Sequence, residues 1–148
     1  MKNLCSLNGN IQIIVEKLRF HKLSVLNCGD IKAANNAYNY AIKEICISIS
    51  LGKYEIIKDL LNLNDPIVIS TIALFILPIS EIKTLKHLIP LFLKREYSIE
   101  VRTLLSEYKI KNRLQFPKFN NGMIEYVSKE EYLEQFSKED IKYISSFL

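Results

Sequence analysis

The sequence predicts an all-α protein whose helices pack in consecutive pairs. Three observations carry that expectation. The stretch Asn64–Ile79, NDPIVISTIALFILPI, contains an uncharged run from Ile67 to Leu77 in which only Ser70 and Thr71 are polar. A helix apolar on every side is a buried one. The chain holds four Gly and four Pro in 148 residues, against abundant Ile, Leu and Lys, which suits helices with short connections better than a turn-rich β domain. Apolar residues also recur at three and four positions in successive segments, the spacing of an amphipathic helix.

The central stretch has the local chemistry of a helix start. Asn64 or Asp65 is a suitable N-cap, and Pro66 fits the first turn, where its missing N–H costs nothing. The run is too short for the roughly 20 apolar residues of a membrane span, and Asp65 and Glu81 flank it. Ile67, Val68, Ile69, Thr71 and Ile72 are β-branched, so a buried strand is the alternative. We read a helix with Val68, Ile72, Leu74 and Ile76 buried.

The first helix runs from about Asn10 to Leu26 on Ile11, Ile14, Val15 and Leu18, with Leu23 and Val25 extending the stripe and Gly29 as a left-handed cap. Asp30 then caps a second helix to Ser50, in which Ala34, Tyr38, Ala41, Ile42, Ile45 and Ile49 share a face and Gly52 ends the element. A short third helix covers Tyr54–Leu61. After the central helix, Ser80 and Glu81 open a helix with Ile82, Leu85, Leu88, Ile89 and Phe92 on one face; Pro90 should kink it or end it early. Ser98 caps the next, which buries Ile99, Val101, Leu104, Leu105 and Tyr108.

From Leu114 the character changes. Phe116–Gly122 reads as a turn-rich connector, and Met123–Val127 alternates like a short strand or extended arm. Ser128, with Glu131 in capping-box position, and Ser137 each open a short helix, the second holding Ile141, Ile144 and Phe147. Residues 1–113 are thus expected to form one helical domain, with 114–148 an appendage packed on it.

Two helix pairs of about 40 residues each fit a short HEAT or armadillo stack. The run Gly29–Asn112 resembles a bacterial HEAT-like family known as a domain of unknown function, number two thousand and nineteen. The resemblance rests on GDIKAANNAYNYAIKEI at Gly29–Ile45, NDPIVISTIALFIL at Asn64–Leu77 and VRTLLSEYK at Val101–Lys109. The chain departs from the family at Ile69, Thr71 and Ile72-Ala73, where Val-Arg, an aromatic and an Ala pair are usual, and at Tyr108, where Trp is usual. Such proteins look like immunity or interaction proteins, some encoded beside polymorphic toxins.

The residues themselves point to binding and not to catalysis. No Walker loop, G-x-S-x-G, G-x-G-x-x-G or H-E-x-x-H stands in the sequence. His21 and His87 stand far apart, so no metal site is expected. Cys5, Cys28 and Cys46 lack C-x-x-C spacing and read as reduced thiols, with Cys46 buried and inert. The N-terminal MKNLCSLNGN has no apolar core of a signal peptide, which makes the cytoplasm the expected location. The acid pairs Glu130-Glu131 and Glu139-Asp140 are adjacent, which points them apart on a helix. Of the net +4, residues 1–112 carry 15 Lys and Arg against 10 Asp and Glu, and residues 113–148 carry 5 against 6.

The expected function is therefore that of an immunity protein covering a cognate toxin domain by protein–protein contact, without cofactor, metal, small-molecule substrate or membrane. A scaffold or adaptor differs only in its partner. A nucleic-acid repair protein would need its lysines gathered along one face, and here they are dispersed. Lys94, Arg95, Tyr97 and Arg102 are the candidate contact residues, Tyr and Arg being types that anchor interfaces. Glu130, Glu131 and Glu134 add opposite charge that sets orientation and on-rate.

Overall fold

The computed structural model describes residues 9–94, 98–110 and 112–148. Cys5, Arg95 and Tyr97 lie outside the described residues, as do the side chains of Ser98 and Ile99. Eight helices and one two-stranded hairpin make up the described chain, so the protein is mainly helical. The helices are α1 (Gly9–Leu26), α2 (Ile31–Ser50), α3 (Glu55–Leu61), α4 (Pro66–Ile76), α5 (Glu81–Phe92), α6 (Ser98–Leu105), α7 (Lys129–Leu133) and α8 (Lys138–Ser146). The chain divides into two compact units, Met1–Val68 and Ile69–Leu148, and the boundary falls inside α4.

In the first unit α1 and α2 pack along their length. Ile14, Val15 and Leu18 of α1 and Ala34, Ala41, Ile42 and Ile45 of α2 are all but fully buried, with Ile57 and Leu60 of α3. Leu23 and Val25 do not extend this face: they are 56% and 48% exposed. The cap of α1 also differs from expectation. Cys28 takes the left-handed conformation (φ 51), and Gly29 follows it, donating to Ser24 O at 2.8 Å. That is a Schellman ending with Cys28, not Gly29, in the left-handed position, and a Cβ on Gly29 would meet Ser24 at an ordinary contact distance of 3.4 Å. Gly52 does end α2 in the left-handed region (φ 76), with Lys53 N–H on Ser48 O.

Polar ties also join separate segments of this unit. His21 Nδ1 donates to Ala34 O at 3.1 Å, and its ring lies 4.9 Å from that of Tyr38. Asp65 is the cap that starts α4: its carboxylate accepts the Ile67 N–H at 3.0 Å and receives Arg19 Nε and Nη2 at 3.1 and 2.6 Å. It is 6% exposed, and the guanidinium is what makes burying that charge tolerable.

In the second unit Ile72 and Ile76 of α4 are buried as expected and Phe75 is buried with them, whereas Leu74 is half-exposed. Around them lie Leu88, Leu91, Val101, Phe116, Tyr132 and Ile144. Tyr132 is fully buried, and its hydroxyl donates to Phe75 O at 2.7 Å, so the cost of burying it is met. Its ring stacks at a tilt on Phe116 and edge-on against Phe136.

The connector expected at Phe116–Gly122 is instead half of a hairpin. β1 (Phe116–Asn120) pairs antiparallel with β2 (Met123–Val127), register Phe116↔Val127 to Asn120↔Met123. Asn121 and Gly122 form the two-residue loop with φ of 50° and 80°, the backbone of a type I′ turn. Pro117 is tolerated because both strands of a lone hairpin are edges. Ser128 and Ser137 cap α7 and α8 as expected, and the reciprocal capping box is complete at Ser137 and Asp140.

Candidate functional site

Helix α5 carries the most informative departure from the sequence pattern. The stripe Ile82, Leu85, Leu88, Ile89 and Phe92 does not face the core as a whole. Thr84, Leu88 and Leu91 are buried, while Ile82 is 78%, Ile89 58% and Phe92 39% exposed. The helix runs past Pro90 to Phe92 and then stops, with the cap Leu93 79% exposed. Leu85, Ile89 and Phe92 line one side of a shallow apolar groove of about 190 Å³, and Val101 and Leu105 of α6 line the other. Scattered surface apolar residues are ordinary, whereas these stand along one helix face beside a groove.

Cations border the strip. Lys86 lies one turn from both Ile82 and Ile89 and is exposed. Lys94 is exposed just beyond the helix end, and the Arg102 guanidinium sits 5.2 Å from the centre of the Phe92 ring. That stacking holds an arginine over an aromatic at the groove's end, both being residue types that anchor interfaces.

The other end of α5 is polar. Behind the Ser80 cap, Glu81 receives Lys109 at 2.5 Å and the Tyr108 hydroxyl at 3.2 Å. The Lys109 ammonium, foremost, holds the Glu81 carboxyl below the usual carboxylate range, and in return Glu81 holds the Lys109 ammonium above its own. Lys129 reaches the Tyr108 hydroxyl at 3.4 Å, its ammonium 5.9 Å from the ring centre. Tyr108 and Lys109 belong to a π-helical turn, Ser106–Ile110, that continues α6. The turn closes where Arg113 and Leu114 N–H both donate to Glu107 O, at 2.9 and 3.3 Å, with Asn112 left-handed (φ 49). These residues, with Gln115, Phe116, Ser128 and Glu130, line a cleft of about 620 Å³.

The structure thus separates the expected contact residues into two groups. Lys94 and Arg102 stand at the C-terminal end of α5. Glu130 lines the cleft beside Glu81, roughly 20 Å back along the helix axis at 1.5 Å per residue. Glu131 and Glu134 are exposed on and after α7. Tyr108, expected as a core residue, is half-buried and spends its hydroxyl on Glu81 and Lys129.

Cys46 is buried, and desolvation pushes its thiol up to about 12. Among the described residues no three His, Cys, Asp or Glu side chains are grouped to hold a metal ion, and no helix is long and apolar enough to cross a membrane. No family model, curated protein or solved structure matches the chain.

Proposed function

We propose that this chain is a non-catalytic protein-binding module built as a short HEAT-like stack, with α3–α4 and α5–α6 as its repeating helix pairs. It acts in the cytoplasm as an immunity protein that covers a toxin domain. The observation that carries the binding reading is the exposed α5 strip with Arg102 stacked on Phe92. The occupant it suits is an acidic amphipathic helix of the partner, with apolar residues at i, i+3 and i+7 lying in the groove. Carboxylates flanking that helix would meet Lys86, Lys94 and Arg102, which steers the encounter and fixes its register.

The toxin identity of the partner rests on the family resemblance alone; a scaffold or adaptor would use the same surface. The test is co-purification with the product of the adjacent gene, followed by titration of the purified pair. Arg102→Ala and Phe92→Ala should each weaken the complex by about 1–3 kcal/mol without changing the fold. An affinity unmoved by both substitutions removes this surface from the interface. Hydrolysis of DNA, RNA or nucleotide that survives purification and disappears on one substitution would overturn the non-catalytic reading.

A further inference from the structure

We propose that the polar cleft at the start of α5 is a separate binding site for a small molecule bearing a phosphate monoester. Its volume, about 620 Å³, lies within the range of small-molecule sites. Three cations from three segments line it: Lys109 from the π-turn, Arg113 from the connector and Lys129 from α7. Lys109 is ion-paired with Glu81, and Lys129 reaches the Tyr108 hydroxyl that Glu81 also holds. Both Glu81 oxygens are already engaged, one by Lys109 and the other by the Tyr108 hydroxyl. Against Glu81 and Glu130 the three cations leave the lining a net charge of +1.

The kind of donor selects the ligand. Arg113 offers a planar fork that engages two oxygens of one group, and Lys129 a point charge beside it. A phosphate monoester has three terminal oxygens and can accept from the Arg113 fork and the Lys129 ammonium at once, whereas a carboxylate has two oxygens to divide between them. Half-buried Leu114 gives the wall an apolar part against which the body of the ligand rests. The backbone supports the same reading. A π-turn is rare and concentrates at functional sites, and here it sets Lys109 toward Glu81 ahead of the bend that carries Arg113. Glu130 also lines the cleft, and its charge opposes an anion. This gives the site a signature of opposite sign that adventitious binding to scattered lysines lacks.

The experiment titrates the full chain with phenyl phosphate, inorganic phosphate and benzoate by calorimetry. Phenyl phosphate should saturate, with benzoate at least tenfold weaker. Inorganic phosphate that binds as tightly as the ester would show that the apolar wall plays no part and overturn the monoester assignment. The double variant Arg113→Gln, Lys129→Gln should weaken binding at least tenfold, and Glu130→Gln should tighten it severalfold. Lys138→Gln, outside the cleft, should change nothing. All four positions are exposed or half-buried, so circular dichroism and melting should be unaffected. No saturation up to about 10 mM, weaker than any useful site, would overturn the proposal. So would an affinity that survives the double variant, or one that Glu130→Gln does not raise. None of these measurements needs a protein partner, so their failure leaves the proposed function standing.

Discussion

Replacing Asp65 with Ala removes the cap of α4 and its tie to Arg19. The carboxylate is 6% exposed, caps the helix through Ile67 N–H and holds two nitrogens of Arg19. Loss of an N-cap costs about 1 kcal/mol. Loss of charged hydrogen bonds costs about 1.5–3 kcal/mol, and the lower half of that range applies because the Arg19 side chain is 33% exposed and partly screened by solvent. The sum is about 2.5–3 kcal/mol, a fall of roughly 5–12 °C in Tm at about 2–4 °C per kcal/mol for a chain of this size. Asp65→Asn keeps an oxygen for the cap and loses the charge, so it should cost about half as much. Urea and thermal unfolding of both variants, with a double-mutant cycle against Arg19→Ala, separates the two contributions. A coupling of about 1 kcal/mol between Arg19 and Asp65 is expected. Asp65→Ala within about 0.5 kcal/mol of the wild type, or Asn as damaging as Ala, would refute the reasoning.

Three further outcomes follow from the core. Ile72 is fully buried, so Ile72→Asp places an unpaired charge in it and should cost several kcal/mol, read as an insoluble or unfolded product; a soluble variant with an unchanged Tm contradicts the burial of α4. Tyr132→Phe leaves the Phe75 carbonyl without its donor and should cost about 1–3 kcal/mol by urea unfolding, while Tyr132→Ala should cost about 3–5. Cys46 is held neutral by burial, its folded pKa raised to about 12 above an ordinary thiol value of about 8.5. Its contribution to stability is therefore complete below about pH 8.5 and is lost as pH rises toward 12. Cys46→Ala should flatten that alkaline fall, and in a Cys5→Ser background a thiol reagent should label exposed Cys28 quickly and Cys46 only on unfolding.

What the sequence made legible was mostly local. Asp30, Asp65, Ser80, Ser128 and Ser137 cap helices within three residues of themselves, so their roles follow from neighbouring positions alone. The hairpin was only half legible: Met123–Val127 alternates like a strand, while Phe116–Asn120, with Pro117 and the Asn-Gly turn after it, reads as a connector and becomes a strand only by pairing as an edge. The α5 stripe shows a different limit. Periodicity identifies a face without saying what covers it, and Ile82, Ile89 and Phe92 have the spacing of a core face while lying exposed. The cleft could not be read at all. It depends on a π-turn that rotates Tyr108 and Lys109 toward Glu81, a contact 27 positions away for Tyr108. The same holds for Tyr132 and Phe75, 57 positions apart, where a tail tyrosine becomes the centre of a core.

The central claim is that the exposed face of α5 holds a partner protein. The most direct measurement is growth of cells co-expressing the adjacent gene's product with either the wild-type chain or Ile89→Asp. Ile89 is 58% exposed, so the substitution leaves folding intact while placing a carboxylate where the acidic partner helix would lie. The wild type should restore growth and form a complex, and Ile89→Asp, at an unchanged Tm, should do neither. Equal rescue by both proteins, or a neighbour that is neither toxic nor bound, would contradict it.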